Sequence, residues 1–305
     1  MSVLPFDDRD GVIWFNGELV PWRDAKLHVL SHGLHYASCV FEGERAYGGT
    51  IFKSQEHTER LHASAEILGF KLPFSVAELE RAKQATLAAN GIVDGYVRPV
   101  AWRGSEMMGV SAQHNRINVA IATWEWPSYF SPEAKMKGID LTIAPWRRPD
   151  PACAPVKSKA AGLYMICTMS KHQAESQGFH DALMLDWRGH VAEATGANIF
   201  MVIDGKVHTP DPDCFLNGIT RRTVIDLARA RGLEVVERTI LPEELAKADE
   251  VFLTGTAAEV TPVGRIADYR FTPGRVCEAL MADYTAAVRA PAAAKASPAA
   301  VAAAE

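Results

Sequence analysis

The chain has 305 residues, 48% of them hydrophobic, with a mean hydropathy of −0.05, a net charge of −5 and a pI near 6.1. That is enough chain for one large or two ordinary domains with a sizeable core, while the acidic balance argues against nucleic acid or an anionic membrane surface as a partner, and no apolar run reaches the roughly 18 residues a spanning helix needs. The acidic start MSVLPFDDRDG lacks a secretory signal core, and five scattered cysteines (Cys39, Cys153, Cys167, Cys214, Cys277) without a CxxC pair point to reduced thiols, no metal site and a cytoplasmic location.

Residues 12–20 predict a hairpin around Asn16-Gly17. Residues 27–36 carry His28, His32 and His35, at spacings that suit either a metal on a helix or a packed, hydrogen-bonded cluster. SCVFEGERAY, over 38–47, reads as one strand ending at Gly48-Gly49. An amphipathic helix follows over 52–68, with Arg60 expected near its start, where a guanidinium and free N–H groups suit a phosphate dianion. Residues 75–90 predict a second helix stopped by Gly91. YVRP opens an apolar strand running to Trp102, and alternation puts Tyr96 and Arg98 on one face. Such a pair suits either an anion or a structural ion pair. A loop over 104–110 and a strand over 117–123 lead to Trp124 and Trp126. Residues 128–138 read as an interdomain loop, between a first α/β domain over 1–127 and a second over 139–288.

A strand over 139–145 and a proline-rich stretch deliver the chain to Lys159, which is followed by Ala160, Ala161 and Gly162. From Leu163, the residues Ile166, Cys167, Ser170 and Ala174 share a helical face, and Gly178 is the stop. A strand over 182–187 turns at Arg188-Gly189 and returns over 190–203 with Glu193 in an otherwise uncharged run. A lysine and a carboxylate in dry surroundings each need a partner. A loop-end lysine and a solvated glutamate are one account. A shared cofactor is the other: pyridoxal phosphate offers an aldehyde to the amine and a ring nitrogen to the acid. Asp204-Gly205 is a turn, and residues 206–209 pair back. A helix is expected over 222–231, capped by Thr220, with an anion site at the N–H groups around Ile219 and Thr220. A strand over 250–253 runs into the Gly/Thr/Ala turn 254–259, and residues 289–305 read as a disordered tail.

The segments FEGERAY, YVRP, KAAGLY, EATGANIF, NGITR and FLTGTAAEVTPV occur in the order seen in class IV (fold type IV) pyridoxal-phosphate aminotransferases, and the chain resembles the bacterial branched-chain enzymes over about residues 12–284. The resemblance implies an α/β (α+β) fold of two domains with pyridoxal 5′-phosphate in the cleft between them, and no metal. It implies Lys159 as the catalytic Schiff-base lysine, with Arg60, Tyr164, Glu193, Ile219, Thr220 and Thr256 around the cofactor. It assigns Tyr36, Phe41, Arg45, Tyr96, Arg98, Val110, Trp126, Ala257 and Ala258 to the substrate side, Tyr36 in a neighbouring subunit's site. The implied reaction is ping-pong transamination of leucine, isoleucine and valine with 2-oxoglutarate, by a homodimer or higher homo-oligomer. Asn217 stands where proline is commoner in the bacterial branched-chain enzymes, a form shared with D-amino acid aminotransferases. D-amino acid and R-selective amine transamination, 4-amino-4-deoxychorismate lyase activity, and a cofactor-free protein binding a phosphorylated ligand therefore stay open.

Overall fold

The Asn16-Gly17 turn behaves as its sequence asks. Both residues take positive φ, 51° and 113°, as a two-residue hairpin turn requires, and they close β1 (Val12–Phe15) on β2 (Glu18–Pro21). The computed structural model describes residues 5–126 and 136–290. Most of the expected 128–138 connection, and the tail beyond residue 290, lie outside that range. The last described helix ends at Arg289.

The first sheet is antiparallel, in the order β2-β1-β7-β6-β4-β5, where β4 is Glu44–Tyr47, β5 Thr50–Ile51, β6 Gly95–Arg103 and β7 Ile117–Glu125. Between β2 and β4 lie the short helix α1 (His32–Tyr36) and β3 (Cys39–Phe41). The single strand expected over 38–47 is in fact two: β3 and β4 follow one another along the same edge of β6, interrupted at Glu42-Gly43. The break has a cause. The Glu42 carboxylate is drawn to Arg60 and His57, and a Cβ on Gly43 would stand 2.0 Å from Tyr96 Oη. Helices α2 (Ser54–Ile67) and α3 (Val76–Ala89) cover this sheet, burying Leu61, Leu79 and Leu87 against Val97, Val119 and Ile121. Ser75 caps α3 through a reciprocal capping box with Glu78. Arg60 is a correction: α2 begins at Ser54, so Arg60 sits about one and a half turns in, not at the helix start.

The second sheet is mixed. Its strands are β8 (Ile139–Ile143), β9 (Asp181–Leu185), β10 (Val191–Ala194), β11 (Asn198–Ile203), β12 (Lys206–Pro210), β13 (Val235–Arg238), β14 (Glu250–Gly255), β15 (Glu259–Ile266) and β16 (Tyr269–Arg270). The order is β10-β9-β8-β15-β14-β11-β12-β13, with β16 beside β15, and β10 also pairs with β11. The path from β10 round to β11 therefore closes on itself, joined by one residue pair, Glu193↔Asn198. Leu141, Leu183, Ile199, Met201, Leu253 and Val263 belong to its buried core. Outside pack α4 (Met165–Ser176), α5 (Ile219–Ala230) and α6 (Arg275–Arg289). The helix expected over 222–231 starts earlier, at Ile219, with Gly218 at its N-cap. Thr220 lies inside the first turn and does not cap it.

The histidines of this segment are each hydrogen-bonded. His32 bridges Ser38 Oγ and the Gly109 carbonyl, His35 contacts the Val29 carbonyl, and His28 Nδ1 accepts from Leu30 N–H. Their ring nitrogens serve backbone groups and a serine.

Candidate active site

Lys159 follows the first strand of the second sheet in sequence but is held by α2 and β3, which pack with the first sheet. Its N–H donates to Ser64 Oγ on α2 at 3.0 Å, Ser158 Oγ donates to the Ser64 carbonyl at 2.9 Å, and its own carbonyl accepts from Phe41 N–H at 3.2 Å. The backbone is thus pinned from two directions and the side chain is left to reach inward. Lys159 Nζ donates to Tyr164 Oη at 2.9 Å and lies 5.1 Å from the centre of the Phe41 ring. It lines a cleft together with Arg60, Tyr164, Glu193, Ile219, Thr220 and Thr256.

Glu193 enters the same cleft from β10. The pairing of β10 with β9 slips there: Val191 faces Leu185 while Glu193 faces Met184, leaving Ala192 as a bulge. A bulge re-aims the side chain beside it. The Glu193 side chain is 13% exposed, with Arg148 Nε 3.4 Å from one carboxylate oxygen. Asn198 Nδ2 donates to the other at 3.3 Å. Burial pushes Glu193 up to about 7, against the pull of Arg148 and Lys159. An acid poised there can give or accept a proton near neutrality.

At the far end the cleft is lined by groups that can donate hydrogen bonds to an anion. The first turn of α5, at Ile219 and Thr220, faces it, and the first N–H groups of a helix have no partners within the helix. Arg60 reaches it from α2, and Thr254 and Thr256 from the end of β14. Thr254 Oγ1 is buried and makes no hydrogen bond among the described residues, the condition of a hydroxyl waiting for a ligand. Asn198 joins the two ends: its Nδ2 also donates to the Leu216 carbonyl at 3.1 Å. A Cβ on Gly218 would fall 2.3 Å from Asn198 Oδ1, so only glycine fits under that amide.

Residues 39–266 match the family model "Amino-transferase class IV". A branched-chain-amino-acid aminotransferase of Pseudomonas aeruginosa is 43% identical over 272 residues, covering 88% of this chain and 89% of that one. The chain belongs to the class IV aminotransferases. A branched-chain-amino-acid aminotransferase of Escherichia coli K12 is 40% identical over 269 residues, covering 86% of this chain and 87% of its own. Among solved structures, a T.th. branched-chain amino acid aminotransferase with pyridoxamine 5′-phosphate superposes with a TM-score of 0.90 at 41% identity, over 93% of this chain and 96% of that one. The branched-chain aminotransferase of Thermoproteus uzoniensis with norvaline gives 0.88 at 36% identity, over 92% and 95%.

Within this class IV chain, the residues expected on the substrate side fall into two groups. Phe41, Tyr96, Arg98 and Trp126 form a connected patch: Phe41 packs edge-on against Tyr164 at 4.8 Å, Arg98 lies over Phe41 and donates to Tyr96 Oη at 3.2 Å, and Tyr96 tilts against Trp126 at 5.3 Å. Phe41 connects that patch to Lys159. Ala257 and Ala258 follow Thr256 in the turn before β15. Tyr36 and Val110 stand apart from the cleft, 45% and 87% exposed. Arg45 is buried, donating to the Trp126 carbonyl at 3.1 Å and lying 3.8 Å from Glu259, so it contacts the wall of the site. The motifs do not single out Arg148, Asn198 or Thr254. Asn198 carries a signal, as the polar member of the apolar strand NIFMVI. Arg148 carries none: it reads as one of two arginines in a proline-rich connection.

Proposed function

We propose that this chain is a pyridoxal 5′-phosphate-dependent branched-chain aminotransferase, moving the amino group of leucine, isoleucine or valine onto 2-oxoglutarate and back. The observation that carries the reading is the convergence of Lys159, Tyr164, Glu193, Arg60 and the start of α5 on one cleft. These residues fit the cofactor's chemistry group by group. An amine meets an aldehyde, a phenol can meet the ring oxygen, a buried acid meets the ring nitrogen, and a cation, a helix start and orphaned Thr254 Oγ1 meet a phosphate. When bound, the cofactor supplies the carbonyl that captures amines and the ring that withdraws electrons.

The chain's own residues do the rest. Lys159 Nζ, once released, takes the proton from the substrate Cα. Tyr164 Oη keeps that amine aimed while it is idle. Glu193 holds the charge on its partner, and Arg148 and Asn198 hold Glu193. Phe41 and Trp126 give an apolar wall for an aliphatic side chain, while Arg98 beside Tyr96 can accept the second carboxylate of glutamate. The Pseudomonas aeruginosa and Escherichia coli relatives, both named as branched-chain enzymes, support this substrate class.

Residues 1–127 and 139–288 act as the two domains in this reading, which their separate sheets support. A homodimer or higher homo-oligomer, with Tyr36 and Val110 turned toward a second copy, is supported by the exposed Leu30, Leu34, Met107 and Met108 near them. No described helix is long and apolar enough to cross a membrane. The five cysteines are all free thiols, which supports a reducing, cytoplasmic location. Amino transfer from L-leucine, D-alanine and a chiral aryl amine, each to 2-oxoglutarate and to pyruvate, tests the assignment. L-leucine with 2-oxoglutarate should be fastest, with a yellow protein whose Lys159 adduct is fixed by borohydride. A colourless protein that binds phosphorylated ligands and transfers nothing would refute it.

A further inference from the structure

We propose that Glu42 is the positioning residue for the Arg60 guanidinium: its carboxylate takes one edge of that side chain, so that the remaining edge faces the cleft as a two-pronged anion receptor. The proposal rests on the reading of Arg60 as a phosphate ligand.

Glu42 is fully buried in the break between β3 and β4. Its Oε1 accepts from Arg60 Nε at 2.7 Å, and its Oε2 accepts from Arg60 Nη2 at 2.9 Å and from His57 Nδ1 at 2.7 Å. A guanidinium carries five N–H groups in a rigid plane. With Nε and the inner hydrogen of Nη2 spent on Glu42, Nη1 and the outer hydrogen of Nη2 remain. They form the end-on fork that matches two oxygens of a phosphate. Glu42 is itself held, because its N–H donates to the Pro99 carbonyl at 2.8 Å and its Oε2 also accepts from Gly43 N–H at 3.3 Å. Arg60 is long and lies within α2; without this clamp nothing in its own helix selects which edge it presents.

The charges separate this role from simple attraction. Burial lowers His57, outweighing Glu42, so a neutral ring donates from Nδ1. Burial alone would raise Glu42, but the Arg60 charge and His57 hold it well below the ordinary carboxylate range. The trio of Glu42, Arg60 and His57 therefore sums to zero. Glu42 subtracts from the pull on a dianion. If electrostatic attraction decided phosphate affinity, neutralising Glu42 would strengthen it; if orientation decides, neutralising Glu42 weakens it.

The full chain, freed of cofactor, is titrated with pyridoxal 5′-phosphate and separately with pyridoxal, following visible absorbance. The quotient of the two dissociation constants isolates what the phosphate contributes, and a merely structural role for Glu42 would not move it. Glu42→Gln is expected to cut the phosphate's advantage about tenfold, the low end of what loss of an orienting partner costs a buried ligand site. An unchanged or enlarged advantage overturns the proposal. In an Arg60→Ala background, Glu42→Gln should change the quotient no further, and a further loss there overturns the action through Arg60. If Arg60→Ala alone leaves the wild-type advantage intact, the reading of Arg60 falls and takes the proposal with it, an outcome distinct from failure of the Glu42 step alone. Should Glu42→Gln not fold, Glu42→Asp keeps the charge and shortens the reach. The same direction of loss is expected, and an unchanged quotient overturns the proposal.

Discussion

Replacing Glu193 by glutamine in the cofactor-free protein should remove a pH-dependent cost of folding. Burial pushes the Glu193 carboxyl up to about 7, from an ordinary value of 4.5. The folded state therefore binds a proton that the unfolded chain has released across that window. Stability must fall as pH rises from about 4.5 to about 7 and level off above. Each tenfold in proton affinity is about 1.4 kcal/mol, so the full cost is about 3 kcal/mol at neutral pH. Glutamine keeps the shape and carries no proton to lose. Urea unfolding of both apoproteins at intervals from about pH 4.5 to about pH 8 gives the difference directly. The variant should match wild type near pH 4.5 and exceed it by about 3 kcal/mol above about pH 7. A difference that stays flat with pH would refute the reasoning, because it would mean that Arg148 and Asn198 keep the carboxylate ionised throughout. Cofactor should erase the gap, since a cationic ring nitrogen supplies the missing counter-charge.

Lys159→Ala should abolish turnover and the borohydride-fixed adduct while leaving the unfolding curve of the apoprotein close to wild type; residual full activity would end the assignment. Lys83 is fully buried, with Nζ donating to Glu44 at 2.8 Å and Thr58 Oγ1 at 2.7 Å and lying 2.7 Å from Glu80, so Lys83→Met should cost about 3–5 kcal/mol in urea unfolding by removing the partner of the buried Glu44. Adding Glu44→Gln to Lys83→Met should recover a measurable part of that loss. Gly43→Ala puts a methyl 2.0 Å from Tyr96 Oη. It should raise the KM for amino acid more than it lowers kcat for bound substrate, and unchanged kinetics would show that Tyr96 yields without consequence.

What the sequence made legible was local. The Asn16-Gly17 hairpin, the Gly91 stop and the Gly178 stop depend on residues a few positions apart, and the structure has them where the pattern puts them. The residues expected around the cofactor, from Arg60 to Thr256, share one cleft, although the motifs said nothing of how they meet. What stayed hidden depends on distant partners. The break at Glu42-Gly43 arises from Arg60, 18 residues on, and from Tyr96 on another strand. Arg148 acquires its place only because its N–H donates to the Leu185 carbonyl, beside β10 and Glu193. The start of α5 escapes the local pattern because Gly218, in place of a polar cap, is set by Asn198 packing under it.

The closed sheet is fastened at a single rung, Glu193↔Asn198, and both side chains of that rung belong to the cleft. A molecule lodged there lies against both strands of that closure. A ligand that binds only the folded site adds its binding free energy to the stability of that closure. Slow amide exchange along β10 and β11 would report how full the site is, with no turnover required.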